Sequence, residues 1–366
     1  MTQDPGLASW LQLTLTPGLG AAALRAMLQR FGLPRTILER KRAELAAFAR
    51  PEVLASLDSA QIKDAVARTL AWASAPGHHI VTLADDSYPR LLLEISDPPP
   101  LLYAAGALEL LQHPALAVVG SRNATAQGER NAESFAQALS DAGFAIVSGL
   151  ALGIDAAAHR GGLAGRASTI AVLGTGIDIR YPRRNAPLAE EIATRGLLVS
   201  EFPLGTAPAA ANFPRRNRLI SGLAQGCLVV EAALASGSLI TARAAADQGR
   251  EVFALPGSIH SPLATGCHAL IKAGAKLVES ADDVLAELGG FRPSGSASTT
   301  APGADPDSGG LLAHMGHDPV DVDALCTRAG LSAEQVSSEL LRLELDGRIT
   351  SLPGGLYQRL EKGARR

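Results

Sequence analysis

The chain has little of several things, and each shortage removes a class of explanation. It holds three cysteines in 366 residues, Cys227, Cys267 and Cys326, far apart and without paired spacing. A disulfide scaffold and a structural zinc site both lose their support, and a reduced compartment fits best. Aromatic residues make up only 4%, so Ala, Leu, Val and Ile must fill the core. No run approaches the roughly 20 apolar residues needed to cross a bilayer. The first ten residues lack a basic region followed by an apolar one, the mark of a secretory signal. Net charge is only −3. The molecule is not a polycation, and any anion site has to be a local patch. With 47% hydrophobic and 19% charged residues, the composition describes a soluble intracellular globular protein. Its length predicts two or three domains.

Residues 1 to about 110 read as mainly helical. A helix is expected over 21–31 after the turn Pro17-Gly18-Leu19-Gly20, and others over 36–49, 51–57 and 59–73. That turn resembles the hairpin of helix-hairpin-helix units; its amides can meet a phosphate, or it can simply connect two helices. A short strand at 79–83 precedes Asp97-Pro98-Pro99-Pro100, an extended surface connector because proline pushes its predecessor out of the helical region.

From about 111 the pattern becomes short apolar runs, each followed by a helix-length crossover. Strands are predicted at 116–120, 145–148, 169–174, 197–201, 226–231, 251–254 and 276–279. Runs apolar on both faces with helices between them predict α/β architecture, an extended Rossmann-like, doubly wound, mainly parallel sheet over 111–288. Residues 289–310 hold six Gly, four Ser and three Pro and read as a flexible linker, spanning roughly 25 Å. Beyond it, 311–366 reads as two helices, 321–328 and 332–346 with Ser332 as N-cap, followed by a hairpin turning at Gly354-Gly355. That is a winged-helix pattern.

Ligands of open α/β sheets bind beyond the carboxyl ends of the strands, so the loops there carry the chemistry. The first is Gly120-Ser121-Arg122-Asn123-Ala124-Thr125. Its glycine admits close backbone approach, its hydroxyls and helix N-terminus can cradle a phosphate, and Arg122 adds a bidentate fork. Later loops bring Tyr181, Arg183, Arg184 and Asn185, then Phe213, Arg215, Arg216, Asn217 and Arg218, then Ser238 and Thr241. Between Arg160 and Arg218 stand nine arginines and no lysine against four acids, a net +5 in a chain of −3. Arginine favours phosphate forks and stacking, and Tyr181 and Phe213 offer ring faces to unpaired bases. Asp155 and His159, four apart on a helix, have the spacing of a metal pair but no third ligand. A capping aspartate and a partnered histidine is the better reading. Glu231 is read as closing a strand through hydrogen bonds, Cys227 and Cys267 as core thiols. Ser121 and Ser238 have no histidine at a telling spacing, and no catalytic residue, metal or cofactor is assigned.

Seven strings carry a resemblance: GSRNAT at 120–125, SGLALGIDAAAH at 148–159, AVLGTGIDIRYPRRN at 171–185, SEFPLGT at 200–206, NFPRRNRLISGLAQG at 212–226, VVEAALASGSLITARAAADQGREVFALPGSI at 229–259 and GCHALIKAGAKLV at 266–278. Together they resemble the DprA/Smf family of DNA-processing proteins over roughly residues 80–288. The resemblance implies a sterile-alpha-motif-like helical N-terminal domain and a C-terminal winged helix. It further implies a cytoplasmic protein that binds single-stranded DNA, loads the RecA recombinase during natural transformation, and forms a homodimer through the Rossmann-like domain; that it catalyses no reaction is expected from the residues, whose loops offer no catalytic acid. Arg122 matches the family's Gly-Ser-Arg pocket, Arg183 and Arg184 the basic positions after Tyr-Pro, and residues 213–218 the Phe-Pro-x-Arg-Asn-Arg segment. Residues 311–366 carry seven basic and eight acidic residues, with only Arg342 on the expected recognition helix, so a protein contact suits that domain better than duplex DNA. The competing expectation is a nucleotide hydrolase of the lysine-decarboxylase-like group, whose Pro-Gly-Gly-x-Gly-Thr-x-x-Glu loop carries a catalytic glutamate. Residues 233–241 here read ALASGSLIT, with no acid.

Overall fold

The computed structural model describes residues 6–289, 310–316 and 318–360. Most of the expected linker, 290–309, therefore lies outside the described residues. A nine-stranded sheet forms the centre: β1 His78–Thr82, β2 Leu101–Gly106, β3 Ala115–Val119, β4 Ala145–Ser148, β5 Thr169–Val172, β6 Leu197–Ser200, β7 Gly226–Val229, β8 Glu251–Ala254 and β9 Lys276–Leu277. Their order is β1-β2-β6-β5-β4-β3-β7-β8-β9. All seven strands expected after residue 110 are present, and each pairs in parallel with its neighbour. The chain winds outward from β3 in both directions, leaving the topological switch point between β3 and β7.

The pattern predicts β1 as a strand of the N-terminal region and the Pro98–Pro100 stretch as a bare connector. Instead β2 follows that connector directly and pairs antiparallel with both β1 and β6. Its LLYAAG run is buried throughout except at its last residue. The proline triplet masks a strand it merely precedes.

Apolar packing explains the layers. Leu116, Val118, Ile146 and Phe253 face the Ala126–Asp141 helix with its Ala132, Ala136 and Leu139. Ala117, Val119, Val147 and Val229 face the other way, against Leu219, Ile220 and Leu239. Trp10 and Leu11 of the first helix join Tyr103 and Leu198 in one further cluster. The N-terminal helices are thus seated on the sheet as well as on their own core of Leu13, Leu24, Met27 and Leu54.

At the C-terminus the helices Val322–Ala329 and Ala333–Leu345 lie between the first and second strands of a three-stranded sheet, β10 Val320–Asp321, β11 Ile349–Leu352 and β12 Leu356–Arg359, a winged helix. Ser332 caps its helix as expected, its Oγ accepting from Gln335 N at 3.3 Å. Arg342 pairs with Glu339 at 2.8 Å. The wing meets the central domain where the Gln358 side chain accepts from Gln127 N at 3.3 Å.

Candidate nucleic-acid interface

Loops after β3, β5, β6 and β7 converge on one edge of the sheet around a cleft of about 400 Å³. Arg122, Tyr181, Phe213, Asn217 and Ile240 line it. Phe213 belongs to the Asn212–Gly222 helix and lies over Gly174, where a Cβ would stand 2.7 Å from the ring. Only glycine lets that ring settle against the end of β5. Tyr181 is 43% exposed and its ring centroid is 5.6 Å from that of Phe213, tilted by 33°. The loop holding it is braced from beneath: Arg180 donates to the Ile177 carbonyl at 2.7 Å and to Glu190 at 2.9 Å. Arg122 is exposed, its guanidinium 5.7 Å above the Phe213 ring. Arg183 and Arg184 sit in a single turn beside Tyr181, both exposed, and neither forms an ion pair among the described residues.

The geometry corrects the cradle expected at 120–125. The N-terminus of the Ala126–Asp141 helix is already filled by a carboxylate from its own chain. Glu231 accepts from Thr125 N at 2.9 Å and from Thr125 Oγ1 at 2.6 Å. Thr125 in turn caps Gly128 N at 2.9 Å. Burial holds the Glu231 carboxyl above the usual carboxylate range, against those hydrogen bonds, which lower it. The seat favours an anion because of the helix dipole and free amides, but Glu231 is the anion it has. Ser121 is buried and spends its Oγ on Asn123 N at 3.1 Å, while Gly120 runs against Ile154 and the Glu231 carbonyl. Arg122, pointing outward, is the part of that loop left free.

The expected arginine cluster at 215–218 is likewise corrected, because none of its three guanidiniums lines the cleft. Arg216 is 4% exposed and donates to the carbonyls of Gly149, at 2.8 Å, and Val172. Burial brings it down to about 10, with the Asp155 carboxylate acting in the opposite direction. Arg218 donates to Glu201 at 2.5 Å and to the Asp97 carbonyl at 2.6 Å. Arg215, 52% exposed, shares the same Glu201 oxygen at 3.1 Å. On a helix, residues two apart point in nearly opposite directions, so Arg215 faces Glu201 while Phe213 faces the cleft. Of the nine arginines between 160 and 218, six are tied to acids or carbonyls. Net charge by segment missed this because it counts neighbours in sequence, not partners in space.

Other expected residues are spent on the protein itself. Asn185 is buried and donates to the carbonyls of Leu150 and Ala151 at 2.9 and 3.0 Å. Ser238 and Thr241 are buried, with Ser238 Oγ 2.7 Å from Ser236 Oγ. Asp155 accepts from Gly149 N and Ala151 N at 3.1 and 3.3 Å. His159 accepts from Leu150 N at Nε2 and lies 2.7 Å from Thr169 Oγ1 at Nδ1, while that hydroxyl donates to the Ile146 carbonyl. Its Nδ1 must therefore carry the proton, and both nitrogens are occupied. Burial pushes it down to about 3. These groups hold the 149–153 loop, in which Leu150 has a positive φ of 57°. The spacing of Asp155 and His159 reports this brace and no metal pair. Cys227 and Cys267 are buried, with burial pushing both thiols up to about 12, as inert core sulfurs.

A residue of the cleft that sequence reading missed is Ile240, 45% exposed at the start of the Ser238–Asp247 helix. Its signal was an isoleucine breaking a small-residue run, in a loop where the serine and threonine carry the more obvious chemistry.

The family model for DNA recombination-mediator protein A matches residues 79–289, and that for the DprA winged helix domain matches 295–355. Protein Smf of Escherichia coli (strain K12) is 44% identical over 313 residues, 82% of each chain. DNA processing protein DprA of Streptococcus pneumoniae (strain ATCC BAA-255 / R6) is 50% identical over 207 residues, 57% of this chain and 73% of that one. Among solved structures, DNA processing protein A from Streptococcus pneumoniae aligns with a TM-score of 0.68 at 39% identity, covering 78% of this chain and 99% of that one. The Helicobacter pylori protein, described for its unique single-stranded DNA binding mode, aligns with a TM-score of 0.52 at 30% identity, covering 57% and 95%.

Proposed function

The chain belongs to the DprA/Smf family of DNA-processing proteins, and from that premise we propose that it binds single-stranded DNA in the cleft between Arg122, Tyr181 and Phe213. One observation carries the reading: a tilted pair of rings, Tyr181 exposed and Phe213 half-buried, flanked by three exposed arginines, Arg122, Arg183 and Arg184, that form no ion pair among the described residues. Ring faces accept any unpaired base, and the arginines follow the backbone. In a duplex the bases are stacked on each other and cannot reach the rings. The single-stranded DNA binding mode described for the Helicobacter pylori protein supports the same reading from a relative.

The role is one of binding, with no reaction catalysed. Glu231, Asp155 and Asp178 accept from backbone amides of the protein, and Glu201 is paired with Arg215 and Arg218. The segment that corresponds to the hydrolase group's glutamate-bearing loop, residues 233–241, carries no acid. Release of ribose 5-phosphate from nucleoside monophosphates would restore the enzyme reading. RecA loading and a homodimer through the central domain complete the proposal. Both rest on the family resemblance, and filament assembly on coated strands and light scattering would test them. No described helix is long and apolar enough to cross a membrane; the cytoplasmic location is proposed from the family resemblance.

Fluorescence anisotropy with single-stranded and duplex oligonucleotides tests the central claim. Binding of the single strand should weaken with salt along a log–log slope near −2, as about three phosphates neutralised on a flexible strand require. Arg122→Ala should weaken it about tenfold or more while leaving the melting temperature alone. Equal affinity for duplex, or an Arg122 variant indistinguishable from wild type, would overturn the proposal.

A further inference from the structure

The cleft does not stop at Phe213. Gly237 and Ile240, from the segment after β7, line it as well. Ile240 begins an outward stripe on the Ser238–Asp247 helix. Leu239, Thr241, Ala242 and Ala245 turn inward and are buried. The outward positions are Ile240, Arg243, Ala246 and Asp247, all exposed. Residues three apart on a helix are surface neighbours, so Arg243 stands directly beside Ile240, just outside the residues that line the cleft. Leu234, 66% exposed, lies just before this helix.

Arg243 differs from the arginines of the 215–218 cluster in having nothing to hold. It forms no hydrogen bond or ion pair among the described residues, and Asp247, four residues on, lies outside pairing distance. An exposed isoleucine next to an unneutralised arginine, continuous with a cleft of ring faces, reproduces the alternation of a nucleotide: apolar base or sugar, then phosphate. Charge complementarity and continuity with the cleft both select a polyanionic strand over an apolar protein segment.

We propose that Ile240 and Arg243 form a second nucleotide subsite, which the strand occupies after it leaves the Phe213 ring. Ile240 packs against the base or sugar and Arg243 holds the following phosphate. This deepens the single-strand reading above and rests on it. The subsite makes binding depend on length: a strand of roughly four nucleotides fills the rings alone, and a longer one gains Arg243.

The test is a length series of oligothymidylates measured against wild type, Arg243→Ala, Arg243→Lys and Ile240→Ala. For long strands Arg243→Ala should bind about five- to tenfold more weakly, the loss expected for one charge-assisted phosphate contact. Its salt slope should be shallower by about 0.7, one phosphate fewer. Short strands should bind wild type and Arg243→Ala alike. Arg243→Lys should keep the slope, and Ile240→Ala should weaken long strands without changing it. Equal binding of Arg243→Ala and wild type at every length would overturn the subsite while leaving the cleft intact. An equal loss at every length would also overturn it, since Arg243 would then act as a diffuse charge. A wild-type protein that binds no oligothymidylate would remove the single-strand reading itself.

Discussion

At the scale of single residues, Arg122 and Arg216 are alike in type and opposite in circumstance: one points into solvent over a ring, the other is enclosed by carbonyls. Their variants should therefore fail differently. Arg216→Met leaves the Gly149 and Val172 carbonyls without their donor and Asp155 without its compensating charge. Loss of one partner from such a buried polar set costs about 3–5 kcal/mol, to be read by urea denaturation. A variant as stable as wild type would show that Asp155 and the carbonyls find other partners. His159 gives a pH signature at the same scale. Its folded value near 3 lies below the unfolded 6.5, so the neutral form is the one the fold keeps. Its contribution is complete above pH about 6.5 and declines as pH falls toward 3, by up to about 1.4 kcal/mol per unit. The raised carboxyls of Glu231, Glu201 and Asp155 act the other way, being relieved as they protonate. The comparison is therefore with His159→Gln, which should lose less stability per unit across that window. Parallel slopes for the two proteins would contradict it.

At the scale of the element, the Ala126–Asp141 helix depends on a residue more than a hundred positions away. Thr125 is a good N-cap by type, but Glu231 completes the cap and fills the space beside the first turn. A Cβ at Gly128 would stand 2.3 Å from the Glu231 Cδ. Intrinsic propensity favours alanine over glycine inside a helix by about 1 kcal/mol. Crowding here should reverse the sign: Gly128→Ala is expected to lower stability by about 1–3 kcal/mol, visible as a lower melting temperature. A gain would mean that Glu231 can withdraw at no cost. Legibility at this scale was uneven. Period and length revealed seven parallel strands and the Ser332 cap, because local pattern dictates both. They missed β2, whose pairing partners β1 and β6 lie on either side of it in space and mean little in its own sequence.

Across the whole molecule, the helices before β1 are more than an appendage. Trp10 and Leu11 pack with Tyr103 and Leu198, and Arg25 bonds to Asp97 at 2.5 Å, the residue that also holds Arg218. Removing residues 1–77 would expose that face of β2 and β6. Such a truncation should bind a hydrophobic dye and aggregate on size-exclusion chromatography, with the single-strand site impaired because Asp97 anchors Arg218 on the helix that carries Phe213. A monodisperse truncation with native stability would show the N-terminal helices to be an independent domain, as their pattern alone suggests.

By itself the sequence determined the sheet class, the winged helix, the family and the edge at which the loops gather. All of these are written in periodicity, chain order and long contiguous strings. Arg122, Tyr181 and Phe213 were legible too, since a loop arginine and two aromatics in an aromatic-poor chain stand out. Tertiary structure decided which charges remain available. Glu201 draws off Arg215 and Arg218, the 149–153 loop takes Arg216 and Asn185, and Glu231 fills the helix N-terminus that looked ready for phosphate. The physical reason is that a buried or half-buried charge must be answered by a partner, and those partners come from elements that only folding brings together.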